Sequence, residues 1–96
     1  MELTGDEKLL EVGANIRKWR DLKGMKQESL AEELDISPVA ISKIETGKTN
    51  IPLKRLFAIA TALNINVELL FTDPSTIIQQ IKNKTEKENI TKSQSS

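Results

Sequence analysis

A stretch of twelve residues at positions 37–48, SPVAISKIETGK, has the spacing of a short helix that can be presented to DNA. Its two isoleucines, Ile41 and Ile44, lie three residues apart and therefore predict an inward, core-facing side. The side chains that open the helix cannot form a hydrogen bond with a base; they are Pro38, Val39 and Ala40. If this helix binds DNA, its first turn does not by itself explain how bases are read.

A second short helix precedes this stretch and completes a motif with it. The segment 27–34, QESLAEEL, has apolar residues at the i, i+1 and i+4 positions of one helical face. Only residues 35–37 separate the two helices. Ser37 favours a helix N-cap, and Pro38 suits the first helical position because its missing N–H is not needed there. The result is a helix-turn-helix pattern, whose second helix enters the major groove of DNA. Alone the pattern is weak, since many helical bundles contain it.

The residues before this motif predict a first helix. Thr4 and Glu7 form the T-x-x-E capping box of a helix N-terminus. Apolar residues follow at the spacing of one helical face and end with Trp19, the only tryptophan, which we expect in the core or at its rim. Gly24 predicts a left-handed helix end, and Gly13 predicts a weak point or break within the helix.

Two further helices are predicted after the motif. The first begins near Pro52, and one of its faces carries Leu53, Leu56, Phe57, Ala60 and Leu63. Asn66 is expected to cap a short fifth helix, VELLF, over residues 67–71.

The C-terminal part repeats the cap-plus-proline start at Asp73 and Pro74, which predicts an additional helix. One side of this helix carries three isoleucines, Ile77, Ile78 and Ile81. They form either the last patch of core or a dimer contact. From about residue 85 the sequence is polar and rich in Lys, Glu, Ser and Gln, which predicts a disordered tail.

Composition narrows the classes of function. The chain has 14 basic and 14 acidic residues, so its net charge does not mark it as a nucleic-acid-binding protein, although residues 14–55 are net basic. It has no cysteine and no histidine, which excludes disulfides, most zinc sites and most acid–base catalysis. We therefore expect no catalytic residue, no metal and no cofactor.

No apolar run approaches the ~18 residues of a membrane span, and the acidic N-terminus does not resemble a signal peptide, so we expect a cytoplasmic protein.

Residues 12–71 resemble the Cro/XRE family of phage-repressor-type DNA-binding domains. The resemblance rests on Gln27 at the start of the second helix, Ala31 beneath it, the ending I-S-x-I-E-x-G of the third helix and the pattern L-x-x-I-A-x-A-L of the fourth. It implies an all-α, five-helix, lambda-repressor-like domain in transcriptional control, usually dimeric on DNA. We accordingly divide the chain into an N-terminal extension of helix one (1–11), a helix-turn-helix DNA-binding domain (12–72), an additional C-terminal helix (73–84) and a disordered tail (85–96).

Two residues depart from the family pattern. Lys26 stands where members often have Ser or Thr as the N-cap of the second helix, and Asp35 stands where the turn often has glycine. Aspartate adopts the left-handed conformation less readily than glycine. Both departures bear on local stability more than on function.

The resemblance also implies which residues contact the bases. The groove-facing side of the third helix would carry Ser37, Pro38, Val39, Ser42 and Lys43. Val39 and Pro38 would touch thymine methyl groups, the two serines would donate or accept hydrogen bonds, and Lys43 would reach guanine O6 or N7. Because few of these contacts are strong and polar, we expect some reliance on DNA shape.

Other residues are implied as backbone contacts or supports. Phosphate contacts, which supply most of the affinity, would come from Arg17, Lys26 and the loop Lys48, Thr49 and Asn50. Gln27 would contact a phosphate or brace the third helix. Glu45 would pair with Arg20 in a partly buried bridge between helices one and three, because a carboxylate that faced DNA would be unfavourable.

Two classes of function remain open at this level. The first is a sequence-specific regulator that binds double-stranded DNA as a homodimer. The second is a protein-interaction module, such as an antitoxin or a phage accessory factor, whose C-terminal segment wraps a protein partner. The near-zero net charge and the lysine-bearing tail are compatible with this second class. An enzyme is the least supported class, because the chain has no His, Cys or Tyr and no glycine-rich phosphate loop.

Overall fold

The computed structural model describes residues 4–81, and this part of the chain is all-α, with no strand. Four α-helices follow one another: α1 (Gly5–Leu22), α2 (Gln27–Leu34), α3 (Pro38–Glu45) and α4 (Leu53–Ala62). A 3-10 helix, Val67–Phe71, comes next, and residues 74–81 are again α-helical. The predicted all-α, five-helix order is therefore confirmed, although its fifth element is a 3-10 helix.

Helix α1 begins and ends as the capping pattern predicts. Thr4 is its N-cap, and the Thr4 Oγ1 accepts a hydrogen bond from the backbone N–H of Glu7 at 3.1 Å. Gly24 lies just beyond the C-cap with a φ of 68°, a left-handed conformation that glycine adopts without a steric penalty. Ile16 and Trp19 are buried on the inner side of this helix.

The predicted break at Gly13 is wrong, because α1 is continuous through this residue. Gly13 is buried where α1 crosses the C-terminal end of α3. A Cβ at this position would collide with the carbonyl oxygen of Ile44 and lie 2.9 Å from that of Glu45. The glycine therefore allows two helix backbones to approach closely, and it is not a weak point of the helix.

The two helices α2 and α3 have one strong local signal at their ends and two weak ones. Lys26 occupies the N-cap position of α2 without a side-chain capping hydrogen bond, and Asp35 ends α2 with a φ of 55°. In contrast, Ser37 caps α3: its Oγ accepts a hydrogen bond from the N–H of Ala40 at 3.1 Å, and Pro38 follows in the first turn. The start of α3 is therefore determined locally, whereas α2 depends on packing.

The core lies where the four α-helices meet the 3-10 helix. Its fully buried large side chains are Ile16, Leu30, Ile41, Ile59, Leu63 and Leu70. The predicted inward side of α3 is confirmed, since Ile44 is buried beside Ile41. Burial of a large aliphatic side chain contributes roughly 1.5–3 kcal/mol, so these residues hold α3 against its neighbours.

The buried face of α4 is narrower than the predicted one. Leu56, Ile59, Ala60 and Leu63 are buried, but Leu53 is 67% exposed and Phe57 is 50% exposed. With about 3.6 residues per turn, the buried positions form one stripe, and Leu53 and Phe57 lie on its flank. These two residues therefore lie at the edge of the predicted apolar face, outside its buried part.

The 3-10 helix is attached to α1 through its carbonyl groups. Asn66 occupies the predicted N-cap position, but its side chain makes no capping hydrogen bond. The Nε1 of Trp19 donates to the carbonyl of Leu69 at 3.0 Å, and the Nδ2 of buried Asn15 donates to that of Leu70 at 3.1 Å. Trp19 is accordingly a core residue whose one polar atom is paired.

Residues 74–81 are anchored to α1 at their start. The Asp73 Oδ1 accepts a hydrogen bond from the N–H of Ser75 at 2.9 Å, which is the predicted capping arrangement. The Asp73 Oδ2 lies 2.7 Å from the Nζ of Lys18 on α1. The hydrogen bond from Lys18 is the main reason why the pKa of Asp73 is lowered.

The three isoleucines of this segment have different environments. Ile77 packs against the core, whereas Ile78 is 38% and Ile81 is 59% exposed. The core alternative therefore holds for Ile77, and the dimer alternative stays open for the other two. Residues 82–84 of the predicted C-terminal helix and the predicted tail lie outside the described residues. Between residues 4 and 81, no helix is long and apolar enough to cross a bilayer.

Candidate nucleic-acid interface

The outward side of α3 presents a mixed apolar and cationic surface. Because its buried residues face the protein, the opposite side of the helix carries Val39, Ser42 and Lys43. Val39 is 64% exposed, Lys43 is exposed and Ser42 is half-buried. Ser37 and Pro38 are exposed at the N-terminal end. The structure thus brings together the five side chains that the resemblance assigned to the groove.

Two hydroxyl groups near this surface are engaged within the protein. The Ser37 Oγ accepts the capping hydrogen bond from Ala40, which leaves its hydroxyl proton available for donation. The Oγ1 of Thr46 donates to the carbonyl of Ser42 at 2.7 Å. Ser37 can therefore cap α3 and donate to a base or a phosphate at the same time.

The loop after α3 lies beside this surface. A groove of about 210 Å³ separates the two. Its lining includes Ala40 and Lys43 of α3, Thr49 and Asn50 of the loop, and Arg55 of α4. Sequence reasoning missed Arg55. The signal that could have found it is the pair of basic residues in the first turn of a helix, where acidic residues are favoured.

The other predicted phosphate contacts lie on three different elements. Arg17 is exposed on α1, Lys26 is exposed at the start of α2, and Lys48 is exposed on the loop after α3. The Nε of Arg17 is 4.0 Å from the Oδ2 of Asp21, and a surface pair of this length contributes little stability. All three cations are accordingly accessible to an anion.

Beneath the surface, Arg20 of α1 and Glu45 of α3 form a bidentate ion pair. The Arg20 Nε donates to the Glu45 Oε2 at 2.7 Å, and its Nη2 donates to the Oε1 at 3.2 Å. Both residues are buried. The pKa of Arg20 is raised, mainly because of its hydrogen bond to Glu45, which outweighs the lowering effect of burial. The pair therefore joins the end of α3 to α1.

Gln27 and Met25 complete the network around this pair. The Gln27 Nε2 donates to the Glu45 Oε1 at 2.9 Å, and the Arg20 Nη1 donates to the carbonyl of Met25 at 2.7 Å. The Glu45 carboxylate thus accepts three hydrogen bonds, which compensates for its removal from water. Of the two roles expected for Gln27, the bracing contact with α3 is present; a phosphate contact stays a prediction.

The outward side of α3 presents chemical groups that are able to contact bases. A helix braced from behind presents an exposed aliphatic side chain, hydroxyl groups and a cation, which are groups that contact thymine methyls, base edges and guanine. Between residues 4 and 81, no group of three or more His, Cys, Asp or Glu side chains is placed to hold a metal ion.

A family model matches the region that contains this surface. The model is described as Helix-turn-helix, and it matches residues 16–70 of the chain. The matched range includes all of α2, α3 and α4.

One curated relative and two solved structures illustrate the similarity. An uncharacterized HTH-type transcriptional regulator of Sinorhizobium medicae (strain WSM419) is 39% identical over 64 residues, which are 67% of this chain and 46% of that protein. The chain therefore spans about half the length of that relative. The restriction-modification controller protein C.AhdI from Aeromonas hydrophila is 32% identical with a TM-score of 0.62, over 65% of this chain and 94% of that one. The controller protein C.Esp1396I, solved as a tetramer in complex with its natural 35 base-pair operator, is 30% identical with a TM-score of 0.61, over 82% of this chain and 97% of that one.

Proposed function

The chain belongs to the helix-turn-helix family of the Cro/XRE type, and from this premise we propose that it is a sequence-specific regulator of transcription. Members of the family are regulatory DNA-binding proteins and not enzymes. In this proposal α3 enters the major groove of double-stranded DNA with its outward side toward the bases. The observation that carries the proposal is the exposed side of α3, which presents Val39 and Lys43 on a helix fixed by buried contacts.

Base reading in this proposal combines apolar contact with a small number of hydrogen bonds. Val39 and Pro38 contact thymine methyl groups, and Lys43 donates to guanine O6 or N7. Ser37 and Ser42 add weaker hydrogen bonds that tolerate more than one base. Because such contacts discriminate modestly, the deformability of the DNA contributes to the choice of site.

Most of the affinity comes from phosphates. Arg17, Lys26 and Lys48 are exposed cations on elements beside α3, and the backbone amides of Thr49 and Asn50 provide further donors. Each cation that neutralises a phosphate releases counterions, so binding weakens steeply as salt is added.

Two copies of the chain bind one near-palindromic site in this proposal. A single α3 reads only a few base pairs, and a pair of such helices about one turn of DNA apart, ~34 Å, doubles the sequence that is read. The tetrameric operator complex of C.Esp1396I is consistent with assembly on DNA. The candidate contact surfaces are the exposed Ile78 and Ile81 on one side, and Phe57 of α4 with Phe71 on the other.

Selection of bound duplexes from a random library tests the proposal directly. We expect the recovered sequences to contain two related half-sites at a fixed spacing near one helical turn. Binding to an unselected duplex should be weaker and strongly salt-dependent. If the protein shifted no duplex even at low salt, the proposal would fail, and the alternative of a protein-interaction module would be favoured.

A further inference from the structure

The first turn of α4 contains an arginine, Arg55, that forms no ion pair with another residue between positions 4 and 81. Arg55 is partly buried and lines, together with Lys43, the groove between α3 and the following loop. We propose that Arg55 is a DNA-phosphate contact that fixes the loop side of α3 against the sugar–phosphate backbone. This inference rests on the proposed function and adds to it one residue and the role of that residue.

The position of Arg55 is the first argument. The groove is lined on one side by α3, with Ala40 and Lys43, and on the other by the loop, with Thr49 and Asn50. Arg55 comes from a third element and shares this groove with the cation expected to read bases. A guanidinium here therefore extends the interface from α3 across the loop to the start of α4.

The charge around α4 is the second argument. Lys54 and Arg55 lie in the first turn of α4, which contains no acidic residue, and the N-cap Pro52 provides no side-chain hydrogen bond. Cations are unfavourable at this end of a helix, because the unpaired backbone N–H groups already carry a partial positive charge. The same arrangement becomes favourable when an anion such as a phosphate lies against it.

The absence of a protein partner is the third argument. The ion pairs formed among residues 4–81 join Arg17, Lys18 and Arg20 to carboxylates, and none of them includes Arg55. The partial burial of Arg55 restricts where its guanidinium can go, and a planar guanidinium matches the two oxygens of a phosphate. Arg55 belongs to α4 and not to α3, so a backbone phosphate at the rim of the groove, rather than a base edge, is the contact we assign.

Lys54 offers a matched control for this assignment. It carries the same charge one residue away, but it is exposed and does not line the groove beside α3. Both residues line a second cavity, on the side of α2, together with Glu33, so only the groove beside α3 distinguishes them. Neutralising Lys54 lowers the net charge by the same amount as neutralising Arg55. It leaves the lining of the groove beside α3 unchanged.

The test measures DNA affinity as a function of salt for the full chain and three variants, Arg55→Gln, Arg55→Lys and Lys54→Gln. The probes are a random-sequence duplex and the duplex recovered by selection, and thermal unfolding followed by circular dichroism verifies that each variant folds. We expect Arg55→Gln to weaken binding to both duplexes by a similar factor. It should also reduce the slope of log K against log salt concentration by about 0.9, the value for one lost phosphate contact. Arg55→Lys should keep most of the slope, and Lys54→Gln should change it much less.

Two outcomes would overturn the inference while the proposed function survives. In the first, the unsubstituted protein binds the selected duplex, but Arg55→Gln and Lys54→Gln have the same salt slope. The other is a loss in Arg55→Gln that is confined to substitutions at one base pair, which would make Arg55 a base reader. If the unsubstituted protein bound neither duplex, the proposed function and this inference would both be wrong.

Discussion

At the scale of single residues, the exposed side chains of α3 can be changed without disturbing the core. Val39 and Lys43 are both exposed, and neither belongs to the buried cluster around Ile41 and Ile44. They differ in chemistry, since one offers methyl groups and the other a cation. Their substitution should consequently separate recognition from folding.

Replacement of Lys43 or Val39 by glutamate is expected to abolish specific DNA binding. A carboxylate at either position would face phosphates and base acceptors and would be repelled by them. Affinity for the selected duplex and the temperature of thermal unfolding are the two measurements, and the latter should change little. Lys8→Glu, at an exposed position in α1, is the matched control for charge. Wild-type affinity in Lys43→Glu would show that the groove assignment is wrong.

The buried ion pair should behave as a unit. Arg20→Ala and Glu45→Ala are each expected to lower the free energy of unfolding by about 1–3 kcal/mol or more, because each leaves a buried charge without its partner. The double variant should lose less than the sum of the two single losses. Chemical denaturation of the three variants measures this coupling, and strictly additive losses would mean that the two residues do not stabilise each other.

At the scale of elements, the position of α3 depends on contacts made by its inner side and its end. The helix before it has weak local signals, because Lys26 provides no cap and Asp35 adopts a left-handed conformation. The network of Arg20, Glu45 and Gln27 compensates by joining α1, α2 and the end of α3. The outward side of α3 is therefore positioned by tertiary contacts more than by the turn.

The crossing of α1 and α3 should be sensitive to one methyl group. Alanine stabilises a helix interior relative to glycine by roughly 0.5–1 kcal/mol, so propensity alone favours Gly13→Ala. The added Cβ would collide with the backbone carbonyls of Ile44 and Glu45, which cannot rotate away as a side chain can. We expect a net loss of about 1–3 kcal/mol in the free energy of unfolding, measured by denaturant titration.

Gly5→Ala is the control for this substitution. A Cβ at Gly5 meets no atom within 4 Å, so this change should be neutral or stabilising. If Gly13→Ala stabilised the protein as much as Gly5→Ala, the close approach of the two backbones would not limit the fold.

At the scale of the whole molecule, the proposed homodimer requires an apolar surface that joins two copies. Ile81 is exposed near the end of the described chain, and Phe57 is exposed on the flank of α4. Deletion of the C-terminal segment would remove part of the core together with the exposed isoleucines, since Ile77 packs against the core and Pro74 is buried. A change in assembly after such a deletion would therefore not identify the interface. Single substitutions at exposed positions provide the cleaner comparison.

Ile81→Lys is expected to convert a dimer into a monomer if the C-terminal segment forms the interface. Phe57→Lys, which also places a cation at an exposed apolar position, should then leave the dimer intact. Sedimentation of both variants measures the assembly, and binding to a single half-site measures its consequence. If Phe57→Lys gave a monomer and Ile81→Lys a dimer, the interface would instead lie on α4. An unsubstituted protein that is monomeric and binds one half-site with full affinity would contradict the proposed dimer.

The sequence by itself determined the features that depend on one turn of chain. The caps at Thr4 and Ser37, the left-handed end at Gly24 and the inward side of α3 are all present in the structure. Each follows from the residue types within a few positions, because capping and helical periodicity are local. The family, and with it the all-α fold, was likewise accessible from motifs that span residues 12–71.

Only the tertiary structure decided the features that depend on which elements touch. Gly13 proved to be the site of a close helix crossing and not a break, because the carbonyls it accommodates belong to a residue pair more than thirty positions away. Phe57 lies outside the core because the neighbours of α4 cover only a narrow stripe. The groove that unites Arg55 with Lys43 forms between three elements, and no local pattern specifies how three elements are placed relative to one another.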